Sequence, residues 1–412
     1  MNRNVSDTFA LPPALAAQGP ASRLALPGLV GAQLLGTSLW FSSSAALPSL
    51  MRDWGLTRAD AGVLVSAVQA GFILGTLLFA LTNLADRFPA HRVFLVSALG
   101  GAGANALFAL AAQGLPSALV FRFATGLMLA GIYPVGMKIV VSWAPRQVGQ
   151  WLGWLVGALT LGTASPFLLA FLGAELDWRA VLLAASGMAT AAGVLVAAIG
   201  SGPHLVPARK VELRMMFRVF AIPGYRRAAL GYFGHMWELY PVWVLAPFLV
   251  GAGLAPWGLA EPRWVSLGAF AFIGLGAIGC AGGGMISRRA GSRRVAAVAL
   301  AVSGTLCLLA PWLLRGSPWL YLSGLALWGI AVVADSPQFS ALSAQACPPE
   351  YVATALTIQN SIGFAISILS IELTTRLWSD WGASVSWLLA PGPLLGLILL
   401  YWGGGGARPA RD

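Results

Sequence analysis

The sequence predicts an all-α polytopic membrane protein with twelve transmembrane helices arranged as two pseudo-symmetric six-helix bundles. Three observations carry this. Only 9% of the 412 residues are charged and 58% are hydrophobic, whereas an average soluble domain carries roughly 25% charged residues. A water-soluble chain of this length needs more polar surface than that to cover its core. Apolar runs of about 20 residues, long enough to cross a bilayer, recur along the whole chain, and the basic residues cluster in alternate gaps between them.

The runs fall near 27–48, 60–84, 93–112, 118–142, 150–173, 179–199, 226–250, 264–286, 295–313, 318–342, 352–375 and 383–402. Before the first of them, the apolar stretch at 11–17 is too short for a signal peptide and is broken by Pro12 and Pro13, so the first long run is read as a retained span. The organisation is then a terminal segment (1–26), a first bundle (27–199), a linker (200–225), a second bundle (226–402) and a tail (403–412).

With twelve spans both termini share a side. Of the 25 Lys and Arg, 17 lie on that side, 6 on the opposite side, and Arg122 and Lys138 within spans. This bias places both termini in the cytoplasm, and the expected location is a bacterial inner membrane. The net charge of +11 is therefore a topology signal, and nucleic acid is not an expected partner. In the linker, the Arg-rich stretch 213–220 reads either as a surface helix on the inner leaflet or as a solvated connection. Cys280, Cys307 and Cys347 lie in or at the ends of apolar runs and read as small packing residues.

The two halves repeat. Thr82-Asn83-Leu84-Ala85-Asp86-Arg87-Phe88-Pro89 follows span two, and an Arg-rich segment from Gly284 to Arg294 follows span eight. Asp86 and Arg288 are separated by 202 positions; Tyr133-Pro134 and Ser336-Pro337, like Pro145 and Pro348, are separated by 203. Such a duplication puts a solute site between the halves near the midplane, exposed to each side in turn by rocking.

The chain resembles the major facilitator superfamily over nearly its whole length. That family's loop between spans two and three reads roughly G-x-L-A-D-R-x-G-R-K, matched here by Leu84, Ala85, Asp86 and Arg87, with Thr82 and Pro89 in place of glycines. The second copy keeps Gly284, Arg289, Gly291 and Arg293 but has Arg288 at the acidic position. The resemblance implies that Asp86, Arg87, Arg289 and Arg293 latch the cytoplasmic side. Arg122-Phe123-Ala124-Thr125-Gly126 resembles the family's R-x-x-x-G element. The Gly-Pro motif of drug/proton antiporters is poorly met in span five, where Ser165 precedes Pro166. The layout is also broadly similar to the nitrate/nitrite and cyanate branch, although that branch's span-five signature is missing.

Arg122 and Lys138 (span four), Glu238 (span seven) and Asp335 (span ten) sit well inside spans. An unpaired charge at the bilayer centre costs roughly 2.5–3.5 kcal/mol on insertion scales, so each is expected to face a wet cavity or a partner. The family resemblance implies that spans one, four, seven and ten line that cavity. Arg122 and Tyr133, eleven residues apart, share a face of a straight helix, and Pro134 can kink it. Arg122 reads either as a coupling or substrate residue or as a donor to neighbouring carbonyls; Lys138 is near enough to the helix end to snorkel. His235 and Glu238, spaced i, i+3, share a face and suit proton binding and release; the alternative is a static Glu238 paired with Arg122. Asp335 with Gln338 has the same two readings. Gln33, Thr37, Trp40 and Ser44 form a narrow stripe on span one, either lining the cavity or packing helices. Gln359 and Asn360 on span eleven, and Gln69 on span two, are further polar groups at depth.

The expected function is a secondary active transporter of a small solute, leaning to a small anion or organic acid because two cations lie on span four. It is expected to be proton-coupled through Glu238 or Asp335, monomeric and without a cofactor. A drug exporter of the same fold or a transport-inactive sensor are the alternatives. The phosphate-binding G-x-x-x-x-G-K-[ST] loop of primary pumps needs Gly before Lys, whereas the lysines follow Met137 and Arg209. His91, His204 and His235 are too scattered for a metal site, and no catalytic constellation stands out.

Overall fold

The computed structural model describes residues 20–145, 147–173, 177–205, 218–348 and 351–402. Among these residues every regular element is helical, as a lipid environment requires of any chain that does not close into a barrel. Eleven helical runs are long and apolar enough to cross a membrane. The last, Val352–Tyr401, has 50 residues, about 75 Å at 1.5 Å per residue and more than twice a hydrocarbon core of about 30 Å.

That last run turns back at Gly382, whose φ of +53° is a left-handed conformation natural to glycine. Beyond it a 3-10 segment, Gly382–Leu388, and a helix, Pro391–Tyr401, return antiparallel to span seven. Trp237 Nε1 donates to the Leu388 carbonyl at 2.8 Å, while Gly392 lies against Gly234 and Gly396 against Gly231. Among the described residues, twelve crossings result. Spans one to six are Pro20–Trp54 in two segments, Arg58–Thr82, Ala90–Ala111, Leu115–Trp143 in two segments, Val148–Leu172 and Trp178–Ile199. Spans seven to twelve are Pro223–Leu254, Pro262–Ala290 in two segments, Ser292–Leu314, Pro318–Ala346 in two segments, Val352–Trp381 and Gly382–Tyr401. The side carrying both ends of the described chain is called the terminal face below, and the opposite side the far face.

Four spans are broken near mid-depth: span one at 38–41, span four at 130–132, span eight at Leu275 and span ten at Asp335. In spans four and ten the cause is the repeated proline: Pro134 and Pro337 open the second segments because proline has no N–H for the preceding turn. In span one the hydroxyls of Thr37, Ser38 and Ser42 take the carbonyls of Gln33, Leu35 and Leu39 at 2.8, 2.7 and 3.1 Å, side-chain bonds that compete with the helix ladder.

The duplication is also visible in packing. A Cβ on Gly126 would meet the Val68 carbonyl oxygen at 1.9 Å, and one on Gly329 the Phe272 oxygen at 2.0 Å. Gly75 meets the Leu127 oxygen at 2.5 Å and Gly279 the Ile330 oxygen at 2.0 Å. Each pair of equivalent residues is offset by 203 or 204 positions (329 − 126 = 203; 279 − 75 = 204). Spans two and four, and spans eight and ten, thus cross backbone to backbone in the same way, as small residues allow in lipid.

The linker's central part, 206–217, lies outside the described residues, and with it most of the stretch expected as a surface helix; Val219–Ala221 forms a 3-10 turn before span seven.

Candidate functional site

The halves meet at mid-depth through aromatic rings. From the first half, Trp40, at the break in span one, and Phe72, on span two, face Tyr240 of span seven and Phe364 of span eleven. Trp40 stacks on Tyr240 and Phe364 with centroids 5.8 and 5.6 Å apart. Phe72 lies 5.0 Å from Trp40 and 4.6 Å from Phe364. Trp243 closes one edge, 5.5 Å from Tyr240 and 6.2 Å from Phe41.

Buried donors without partners surround these rings. Trp40 Nε1, Trp243 Nε1 and Gln69 Nε2 have no hydrogen-bond acceptor, although Gln69 accepts from Ser367 of span eleven at 2.9 Å. Such groups are costly when left dry, so the arrangement suits a ligand that brings acceptors. Towards the terminal face the unpartnered set continues with both polar atoms of Gln33, His235 Nε2 and Gln359 Nε2. Gln33 faces Gly136 of span four, and Gln359 accepts from Ser343 of span ten at 2.5 Å.

The ionisable residues fall into three separate sets. Arg122 is wholly buried within the first half. Its Nη1 donates to the Leu39 carbonyl at 3.0 Å, to Ser42 at 3.1 Å and to Asn105 at 3.3 Å, and its Nη2 donates to the Trp40 carbonyl. The guanidinium therefore satisfies carbonyls that the break in span one leaves without helix partners. Asn105 extends the network to Ser42 at 2.7 Å, the Leu182 carbonyl at 2.8 Å and Ser186 at 3.0 Å.

Glu238 is buried in the second half and accepts from Ser303 at 2.8 Å, Trp328 Nε1 at 2.8 Å and Cys307 at 3.1 Å. Among the described residues no ion pair joins it to Arg122. His235 and Asp335 form the third set: His235 Nδ1 stands 2.8 Å from Asp335 Oδ1, both side chains almost fully buried, close enough for an ion pair but not aligned as a hydrogen bond. The pair ties span seven to the break in span ten, with Tyr232 5.7 Å and Phe339 6.2 Å from the imidazole.

Arg122, Glu238 and Asp335 are thus not gathered by direct contact in one chamber. The shared face expected for Arg122 and Tyr133 is also corrected, since the three-residue break at 130–132 interrupts the helical phase between them. Arg122 points into its own bundle, whereas Tyr133 opens the second segment of span four and is half-buried. Lys138 and Asn360 are half-buried, and Gln338 is buried and faces Gly283 of span eight. Thr37 donates within span one and to Leu159 of span five at 3.3 Å.

Inter-half contacts occur on both faces. Towards the far face, Ser66 donates to Glu372 of span eleven at 2.8 Å, and Arg58 lies over Phe248 at 5.9 Å. On the terminal face, Arg288 donates to Gln150 of span five at 2.7 Å. Arg87, Arg289 and Arg293 are exposed there, and the side chain of Asp86 lies outside what is described. Sequence reasoning passed over Glu372, Asn105 and the rings of Phe72, Tyr240, Trp243 and Phe364. Glu372 had a signal, a carboxylate inside an apolar run; the rings had none, because aromatic residues are ordinary in a lipid-facing helix.

The profile of the Major Facilitator Superfamily matches residues 29–371. The gallate transporter of Pseudomonas putida is 26% identical over 358 residues, covering 77% of this chain and 76% of that relative. The niacin transporter NiaP of Acinetobacter baylyi is 37% identical over 123 residues, 27% of each chain. The 4-hydroxybenzoate transporter PcaK of the same organism is 30% identical over 142 residues, covering 33% of this chain and 30% of that relative. Among solved structures, the human organic anion transporter MFSD10 superposes with a TM-score of 0.71 at 17% identity, over 93% of this chain and all of that one (100%). A bacterial homolog of the human lysosomal transporter Spinster, inward-facing and unoccupied, gives 0.67 at 15% identity, over 93% and 95%; both likenesses concern the fold alone. The paired six-helix halves, the repeated glycine crossings and a profile match over most of the chain make this protein a member of the Major Facilitator Superfamily.

Proposed function

We propose that this protein carries a small aromatic carboxylate across the bacterial inner membrane, together with protons, by alternating access. One observation carries the reading: the inter-half aromatic cluster of Trp40, Phe72, Tyr240 and Phe364, edged by buried donors that lack acceptors. A planar ring gains stacking between such side chains, and a carboxylate supplies the missing acceptors. The names of the relatives support the class, since gallate, niacin and 4-hydroxybenzoate are each a carboxylate on a six-membered aromatic ring.

Coupling follows from charge. His235 and Asp335 stand 2.8 Å apart with both side chains almost fully buried. Admitting an anion adds one negative charge to a low-dielectric space, and a proton taken up by Asp335 or Glu238 offsets it. Anion and proton then enter together. Gln33, Gln338, Gln359, Asn360 and Tyr133 serve as polar lining, and Lys138 raises the positive potential on the route from the terminal face. Arg122 acts indirectly, by holding the unwound segment that carries Trp40. Asp86, Arg87 and Arg289, with the Arg288–Gln150 contact, form the terminal-face latch, whereas Arg293 lines a cavity within the second half. Both termini lie in the cytoplasm, in keeping with the 17-to-6 division of basic residues, and the protein works as a monomer.

The test is uptake into proteoliposomes under an imposed pH gradient, using 4-hydroxybenzoate, gallate and nicotinate beside the corresponding amides. Gradient-driven uptake of at least one acid, with its amide excluded, is the expected result. No uptake of any acid, or equal uptake of acid and amide, overturns the proposal.

A further inference from the structure

On the terminal face, among the ends of spans seven, nine, ten and twelve, lies a cavity of ≈ 180 Å³. Arg227 of span seven and Arg293 of span nine line it together with Gln345 of span ten, over an apolar floor that includes Leu342 and Leu400. Among the described residues the ion pairs are Arg52–Asp53, Arg179–Asp177, His235–Asp335 and Arg376–Glu372. Neither cavity arginine belongs to one, and Arg227 Nε is buried without a hydrogen-bond partner.

Two like charges facing one small space repel each other, and an anion between them turns that repulsion into attraction. Guanidinium groups favour phosphate because their N–H groups match its oxygens in pairs. At about 30 Å³ per water the cavity has room for a tetrahedral oxyanion and some of its hydration. Gly224, in the first turn of the span-seven helix, is part of the wall, so the positive end of that helix adds to the field. Tyr401 and Trp402, exposed just beyond Leu400, are the residue types that settle at the headgroup level.

We propose that this cavity is a phosphate-binding site at the level of the lipid headgroups, separate from the solute path. Its occupant is the phosphate of an anionic phospholipid or free inorganic phosphate, held between Arg227 and Arg293. Occupation ties the start of span seven to the start of span nine.

The test is the thermal unfolding of the purified full-length protein in detergent, titrated with phosphatidylglycerol, zwitterionic phosphatidylcholine or inorganic phosphate. Saturable stabilisation by phosphatidylglycerol alone identifies a lipid site; stabilisation by inorganic phosphate as well identifies a site open to the free ion. Either outcome supports the proposal if Arg227→Ala and Arg293→Ala each weaken the apparent affinity about fivefold. The control Arg226→Ala, which removes the same charge from an exposed neighbour, is expected to leave it unchanged. Arg227→Lys, which keeps the charge and loses the paired geometry, falls in between and serves if the alanine variant does not fold. Equal stabilisation by phosphatidylcholine and phosphatidylglycerol, or equal weakening by all three alanine substitutions, overturns the proposal.

Discussion

Replacing Arg122 with Met keeps most of the buried stem and removes every donor. The structure gives four contacts to lose, two of them to the carbonyls of Leu39 and Trp40 at the break in span one. Hydrogen bonds between buried groups in membrane proteins average about 0.6 kcal/mol and reach about 1.7, whereas orphaning a buried acceptor costs about 1–3 kcal/mol. Relief of the guanidinium's own desolvation works in the opposite direction. The net expected loss is about 3 kcal/mol, measured by equilibrium unfolding in mixed micelles. Because the freed segment carries Trp40, affinity for an aromatic acid is expected to fall as well, and that fall should be absent in a Trp40→Ala background. Arg122→Lys, with one ammonium for divergent acceptors, is expected to restore less than half of the lost stability. The reasoning fails if Arg122→Met unfolds like the parent, or if Arg122→Lys restores full uptake, since a bare positive charge would then suffice.

Other substitutions probe the remaining parts. Trp40→Phe, which keeps a ring in the fully buried position and removes the indole N–H that lacks an acceptor, is expected to weaken binding of an aromatic acid about fivefold to tenfold at a modest cost in stability; isothermal titration measures it. Glu238→Gln and Asp335→Asn are expected to abolish uphill accumulation driven by a pH gradient while preserving exchange of labelled for unlabelled solute, and unchanged accumulation in both variants would count against proton coupling. Gly329→Ala places a methyl 2.0 Å from the Phe272 carbonyl oxygen and is expected to destabilise by about 1–3 kcal/mol, with Gly126→Ala matching it if the halves share one packing scheme. Ser66→Ala or Glu372→Ala removes the 2.8 Å contact between spans two and eleven and is expected to raise the labelling rate of a cysteine placed at Ala59, on the same face of span two and nearer its end; an unaltered rate would show that this contact does not hold the far face shut.

The amino-acid sequence alone determined the membrane class, the succession of apolar spans and the two-fold repeat. The physical reason is that each depends on a local quantity. Length and hydropathy decide whether a segment crosses, the balance of Arg and Lys decides its direction, and Pro134 and Pro337 break spans four and ten wherever those helices pack. The same local logic singled out Arg122, Glu238, His235 and Asp335, because charge inside an apolar run stands out against its neighbours. What each charge faces was a different matter. Helical phase does not survive the break at 130–132, so the face that turns Arg122 into its own bundle is not carried through to Tyr133. Only tertiary packing brought Trp40 and Phe72 against Tyr240 and Phe364, residues up to 324 positions apart whose ring contacts have no periodicity to betray them. It alone paired His235 with Asp335 at 2.8 Å and left Glu238 among neutral donors, because partner choice in lipid depends on which helix faces meet, and those faces are chosen by glycine crossings spread over the whole chain.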